Sequence, residues 1–148
     1  MILEMIIFTK LIQPTYADNI INSALECKGD LKMTVMGLDN DEGQIKFDLD
    51  NAAETFKPKE NGKPAFAKGR SPIKNNRVEY IFKDIPCGEY AVKLYHDANM
   101  NQTLDKNFIK IPTEQYGFSN CKGCILPPAW EKAKFTFDKE HPTIIIEL

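Results

Sequence analysis

Apolar and polar residues alternate with a period of two through several short stretches of the chain. The alternation is clear in residues 44–50 (QIKFDLD), 77–82 (RVEYIF) and 89–95 (EYAVKLY), and weaker versions occupy 31–38, 134–137 and 143–148. Successive side chains of a strand point to opposite faces of a sheet, so this period is typical of strands with one buried face. The pattern predicts six or seven short strands. Only residues 19–26 and 52–56 are expected to be helical.

Turn-forming segments separate these strands and suggest how they connect. The segment DNDEG at 39–43 predicts a hairpin between 31–38 and 44–50, and 138–142 forms a turn between the last two strands. We therefore predict an all-β fold, an antiparallel β-sandwich of the transthyretin-like or immunoglobulin-like type. A lead-in at 18–29 precedes one domain at 30–148. With 43% hydrophobic residues in 148, the chain can bury such a core.

Two long connections interrupt the strand pattern. Residues 57–76 carry three prolines and six basic residues, which are Lys57, Lys59, Lys63, Lys68, Arg70 and Lys74. We expect a solvated loop there, with contact to an anionic lipid or polysaccharide as the alternative. Residues 96–130 form the second connection. Loops of that length in compact domains are usually functional or packed on themselves.

Oxygen-bearing side chains recur at alternate positions where the second connection begins. Asp97, Asn99, Asn101 and Asp105 stand at offsets 1, 3, 5 and 9 of a segment in which Thr103 would add its carbonyl. Calcium loops place their ligands at these offsets, because alternate side chains and one carbonyl then converge on the ion. The spacing predicts a weak calcium site.

Two positions depart from the calcium-loop pattern. Gln102 stands where such loops have glycine, and Phe108 stands where they have a bidentate glutamate, so Glu114 or another acid would have to close the site from outside. The alternative is an Asx-rich turn without metal, in which Asp and Asn side chains bond their own backbone.

The same region carries a family resemblance. The segments HDANMNQTLDKN (96–107), IPTEQYGFSN (111–120) and PPAWEKAKF (127–135), with DIPCGEYAV (84–92) upstream, resemble the pattern of domain-of-unknown-function family 2141. The resemblance implies a small exported bacterial β-sandwich protein, without indicating a reaction. It marks further positions as structural or supporting ones, namely His96, Tyr116, Phe118, Ser119 and Asn120. Glycine is frequent in the family where this chain has Gln102, Lys110 and Gln115.

The four cysteines predict disulfides if the chain is exported. Cys121 and Cys124 are close enough in sequence to form a tight ring, which leaves Cys27 and Cys87 as the second pair; reduced thiols or a zinc site are the alternatives. Residues 1–17 look like a partial secretion signal, with an amphipathic helix as the alternative. We expect a periplasmic or secreted protein.

Charge and composition exclude some functions. Lys+Arg 19 against Asp+Glu 21 gives a net charge of −2, which argues against a nucleic-acid partner, and no apolar run could span a membrane in the mature form. We expect a non-enzymatic binding or accessory module that engages an envelope polysaccharide, peptide or protein. The alternative is an envelope hydrolase or lyase in which His96 acts with Asp97 or Glu114.

Overall fold

The computed structural model describes residue 15 and residues 27–57 and 63–148. Apart from residue 15, the predicted secretion signal and the predicted helix at 19–26 lie outside the described residues. The described ranges contain strands and two single-turn helices: β1 (Lys28–Met36), β2 (Gln44–Asp50), α1 (Ala53–Phe56), β3 (Ala67–Pro72), β4 (Val78–Pro86), β5 (Gly88–Asp97), β6 (Tyr116–Phe118), α2 (Trp130–Ala133), β7 (Phe135–Phe137) and β8 (Thr143–Glu147).

The strands form two packed sheets. One has the order β4-β1-β8, and the other has the order β3-β2-β5-β6 with β7 also paired to β5. The predicted all-β sandwich is therefore confirmed. One pair departs from the antiparallel pattern, because β8 runs parallel to β1 from the Lys32–Thr143 pair to the Met36–Glu147 pair.

The core lies between the two sheets. Ile45, Phe47 and Leu49 of β2 face inward, as their alternation predicts, and meet β1 residues such as Leu31 and Met33; all five are at most 3% exposed. Burying each such side chain contributes about 1.5–3 kcal/mol. The outward positions of β2 and β5 point away from this core, toward the candidate site.

The predicted hairpin between β1 and β2 is wrong. These strands lie in different sheets, as do β4 and β5, and β7 and β8, so the intervening turns cross the sandwich. Gly43 shows how the first crossing is accommodated: its φ is +66°, and a Cβ there would lie 2.1 Å from the Asp97 carbonyl oxygen. Period-two alternation reports which face of a strand is buried, but it does not report which strand pairs with it.

The predicted loop at 57–76 contains a strand that the pattern did not reveal. Residues 67–72 (AKGRSP) have no apolar alternation, yet their backbone pairs with β2 from Leu49–Ala67 to Gln44–Pro72. Gly69 is required there, because a Cβ would lie 2.5 Å from the Phe47 ring. Lys68 and Arg70 nevertheless remain exposed, as expected of the basic stretch.

Both predicted disulfides are present. Cys27 pairs with Cys87 at a Cα–Cα distance of 5.3 Å, and Cys121 pairs with Cys124 at 5.7 Å. The first joins the start of β1 to the connection between β4 and β5. Since all four cysteines are paired, the alternatives of reduced thiols and a zinc site are not supported.

Candidate functional site

Asp97 ends β5 and organises the loop that follows it. Its carboxylate is fully buried and accepts hydrogen bonds from Gln44 Nε2 at 2.9 Å and from the backbone N–H of Gln102 at 3.1 and 3.2 Å. Bonds to a charged acceptor are stronger than neutral ones. Asp97 therefore ties the turn of the loop to β2.

Glu114 holds the two ends of the same loop together. Its Oε1 accepts from the backbone N–H of Ala98, and its Oε2 accepts from that of Asp105, both at 3.0 Å. Phe108, the position of the usual closing glutamate, points into solvent and is 97% exposed. Glu114 thus reaches the loop from outside, through backbone amides.

Asn99, Asn101 and Asp105 form a network among themselves. The Asn99 and Asn101 side-chain amides donate to the two Asp105 oxygens at 2.5 and 2.9 Å. Asn99 Oδ1 accepts from the Asn101 N–H at 3.0 Å, and Asn101 Oδ1 accepts from the Thr103 N–H at 2.9 Å. These last two bonds are Asx turns, the arrangement proposed as the alternative to metal binding.

Five of the six residues predicted for a metal site therefore lie in one loop, and Glu114 bonds to the backbone of that loop from outside it. Within the described ranges, no group of three or more His, Cys, Asp and Glu side chains is placed to hold an ion. Several carboxylates nonetheless lie in or near the loop. Burial, and after it the negative charge of these carboxylates, raises the pKa of the Tyr95 phenol. Those carboxylates are, in order of effect, Asp97, Glu114, Asp48 and Asp105.

The residues marked by the resemblance as supporting positions make structural contacts. His96 is 3% exposed, and its Nε2 donates to the Glu42 carbonyl at 2.6 Å. Ser119 Oγ donates to the Ala133 carbonyl at 2.7 Å and accepts from the Val92 N–H at 2.9 Å. The side-chain amide of Asn120 donates to the Lys134 carbonyl, and the hydroxyl of Tyr116 donates to the Ile125 carbonyl.

A second small core holds the long connection against the outer face of the β3-β2-β5-β6 sheet. It contains Phe56, Ala91, Phe118, Cys121 and Ala133, with Tyr116, Cys124 and Trp130 packed beside it. Because this core covers only one end of the face, the outward residues of β2 and β5 stay accessible at the other end.

The uncovered part of that face forms a cleft of about 420 Å³, which we call the outer-face cleft. It is lined by Lys46, Phe47, Asp48, Lys68, Gly69, Lys93, Leu94, Tyr95, Leu104, Tyr116, Phe118 and Pro127. The sequence pattern places Lys46, Asp48, Lys93 and Tyr95 on one strand face, but it contains no signal that Leu104 and Pro127 wall that face into a cleft.

Three lysines and the carboxylates paired with them set the charge of the outer-face cleft. Asp48 lies 3.5 Å from Lys68 Nζ and 3.9 Å from Lys93 Nζ. Lys46 Nζ lies over the Tyr95 ring, 5.8 Å from its centroid, and donates to a backbone carbonyl in the loop. Lys93 Nζ also lies 3.1 Å from Oδ2 of the buried Asp50, so the three lysines against Asp48 and Asp50 leave an excess of one positive charge.

A family model described as uncharacterized proteins conserved in bacteria matches residues 33–145. The chain belongs to domain-of-unknown-function family 2141. The match begins in β1 and ends in β8, so the family 2141 unit includes both sheets, the loop and the outer-face cleft. No curated protein and no solved structure matches the chain significantly.

One feature of the family 2141 protein bears on its compartment. Its two disulfides fit an oxidising, extracellular environment. Within the described ranges the helices are single turns, and none has the length and apolar character that crossing a bilayer requires.

Proposed function

We propose that this family 2141 protein is an exported, non-catalytic binding module of the bacterial envelope. Its ligand is an acidic oligosaccharide that binds in the outer-face cleft. The charge and shape of that cleft carry the proposal, the disulfides support an oxidising location outside the cytoplasm, and the family is bacterial.

The lining of the outer-face cleft suits a charged ring-bearing ligand. Tyr95 and Tyr116 are half-buried and present rings next to polar groups, as sites that orient a small ligand do. Three lysines against Asp48 and the buried Asp50 leave an excess of one positive charge, which favours a carboxylated over a neutral ligand. A volume of about 420 Å³ falls within the range of small-ligand sites.

Binding is favoured over the hydrolase or lyase alternative by the positions of the acid–base candidates. His96 Nε2 is engaged with the Glu42 carbonyl, and both Glu114 oxygens hold backbone amides. Neither residue lines the outer-face cleft. A general base has to reach the proton that it abstracts, directly or through one water.

We expect Lys68→Gln to weaken binding of uronic-acid oligosaccharides about fivefold, because it removes a positive charge from the cleft rim, and the loss should shrink in high salt. Isothermal titration calorimetry with matched neutral and uronic-acid oligosaccharides measures this loss of affinity and its dependence on salt. Lys28→Gln is the matched control, since the side chains of Lys28 and Lys68 are both 52% exposed and each pairs with an aspartate.

Three results would contradict the ligand proposal. The first is that no uronic-acid oligosaccharide binds, and the second is that neutral and acidic oligosaccharides bind with equal affinity. The third is that Lys28→Gln and Lys68→Gln reduce the affinity equally. Hydrolysis or elimination products during the titration would instead support the enzyme alternative.

We also propose that the loop at 97–105 binds calcium weakly. Asp97, Asp105 and Glu114 lie in or against it, and within the described part of the chain none of them forms an ion pair with Lys, Arg or His. A cation would offset that charge. Binding requires the Asn99 and Asn101 amides to turn their oxygens inward, in exchange for their bonds to Asp105.

Millimolar calcium should raise the free energy of unfolding by about 0.5–1.5 kcal/mol, which corresponds to a dissociation constant of about 10⁻⁴ to 10⁻³ M. Urea denaturation with and without calcium measures this. Asp105→Asn should remove the increment, whereas Asp39→Asn, at an exposed position, should retain it. Magnesium should substitute poorly. If calcium has no effect while Asp97→Ala still destabilises, the carboxylates act only as backbone caps.

A further inference from the structure

A turn within the long connection presents apolar side chains to solvent. Phe108 is 97% exposed, Ile109 is 58% exposed and Ile111 is 53% exposed. Lys106 and Pro112 pair across the base of this segment, which we call the 106–112 turn. Three large apolar side chains in four consecutive positions are more than the isolated exposed residues that folded surfaces normally carry.

Four backbone amides of the 106–112 turn donate hydrogen bonds within the turn. The Asn107 N–H donates to the Ile111 carbonyl at 2.8 Å, and the Lys110 N–H donates to the Asn107 carbonyl at 2.9 Å. Asn107 Oδ1 accepts from the N–H groups of Ile109 and Ile111 at 3.1 and 3.0 Å. Four amides near the apolar side chains therefore need no water, which lowers the penalty for entering an apolar layer.

Two lysines flank the apolar side chains. Lys106 and Lys110 are exposed, and neither pairs with a carboxylate among the described residues. A lysine can bury its alkyl stem beside apolar groups while its amine stays in water. At a bilayer surface, such amines meet the phosphates of anionic headgroups.

We propose that the 106–112 turn inserts into the surface of an anionic bilayer and anchors the module reversibly. The apolar side chains enter the boundary between headgroups and acyl chains, and the two lysines contact anionic phosphates. A bilayer fits better than a protein partner, because the two lysines supply a charge without a shape requirement. Binding to a bilayer surface increases with buried apolar area and with attraction to anionic lipids, and the turn supplies both contributions.

Vesicle co-sedimentation of the full chain tests the proposal, with phosphatidylcholine vesicles that contain or lack phosphatidylglycerol. We expect binding to the anionic vesicles and little to the neutral ones. Ile109→Ser should lower the partition coefficient about tenfold, because it removes one inserted apolar side chain. Ile145→Ser is the matched control, since Ile145 on β8 is 59% exposed against 58% for Ile109, and it should bind as the unsubstituted chain does.

The electrostatic contribution has its own pair of variants. Lys110→Gln should weaken anionic-vesicle binding about fivefold and reduce its dependence on salt. Lys139→Gln, at an exposed position in the turn before β8, should change neither. Phe108→Trp adds a direct readout, because its fluorescence should shift to the blue on vesicle addition and be quenched by brominated acyl chains.

The outcomes that would overturn the proposal are distinct from those that would overturn oligosaccharide binding, since no oligosaccharide is present. Failure to bind anionic vesicles overturns it, and so does binding that Ile109→Ser and Ile145→Ser reduce equally. Self-association in analytical ultracentrifugation that Ile109→Ser abolishes, without vesicle binding, would assign the turn to an interface between copies of the chain.

Discussion

Replacing Cys27 and Cys87 together by serine should lower the free energy of unfolding by about 4 kcal/mol. The two cysteines are separated by 60 residues, so their bond removes much of the chain entropy of the unfolded state. That loss is a large part of the 5–15 kcal/mol that stabilises a typical domain. Urea denaturation of the unsubstituted chain and of the double variant measures the difference, provided that the unfolding free energy of both depends on urea concentration with the same slope.

The second disulfide is the internal control for this prediction. Cys121 and Cys124 are only 3 residues apart, so replacing both by serine should cost about 2 kcal/mol or less. Equal losses for the two pairs would contradict the chain-entropy argument. A negligible loss for the Cys27–Cys87 pair would show that it contributes little to holding β1 against the β4–β5 connection.

Lys93→Met should destabilise the fold by about 3–5 kcal/mol, because it leaves a buried charge without its partner. The Asp50 side chain is fully buried, and its oxygens accept no hydrogen bond among the described residues. Lys93 Nζ lies 3.1 Å from Asp50 Oδ2 and also donates to the carbonyls of Thr55 and Phe56. The ion pair therefore compensates the Asp50 charge although its geometry is not that of a hydrogen bond.

A double substitution separates loss of the charge pair from loss of packing. Adding Asp50→Asn to Lys93→Met should recover about 2 kcal/mol or more, because a buried amide costs less than a buried carboxylate. Lys68→Met is the comparison at a solvent-exposed pair and should change stability by less than about 1 kcal/mol. If Lys93→Met costs no more than Lys68→Met, Asp50 does not depend on Lys93.

This difference in stability bears on the binding experiments. Lys68 and Lys93 both line the outer-face cleft, but only Lys93 compensates a fully buried carboxylate. Loss of oligosaccharide binding in a Lys93 variant would therefore combine altered charge with altered folding. Lys68→Gln changes the charge of the cleft at a position where the fold tolerates it.

Several features of this protein were determined by the sequence alone. The alternation in 44–50 and 89–95 identified β2 and β5 and the faces that they bury, because the period of two is a local property of a strand. The motifs between 84 and 135 led to the family, which the match over 33–145 shows. The cysteine spacing indicated the Cys121–Cys124 disulfide, which left Cys27 and Cys87 as the second pair.

Only the tertiary structure decided how these pieces meet. The strand partners could not be predicted, because β1 pairs with β4 and β8 rather than with its neighbour β2, and alternation specifies a face without specifying a partner. The edge strand β3 is held by backbone pairing with β2. Because this pairing does not depend on apolar side chains, the sequence AKGRSP carries no apolar alternation that would predict the strand.

The candidate site depends on contacts between distant residues in the same way. Glu114 binds amides 9 and 16 residues before it, and Lys93 reaches Asp50 from a neighbouring strand. The outer-face cleft forms where the long connection folds back over β2 and β5, so its walls come from segments that are far apart in sequence. Local spacing therefore identified which side chains face outward, whereas packing of the two sheets and the loop determined what those side chains enclose.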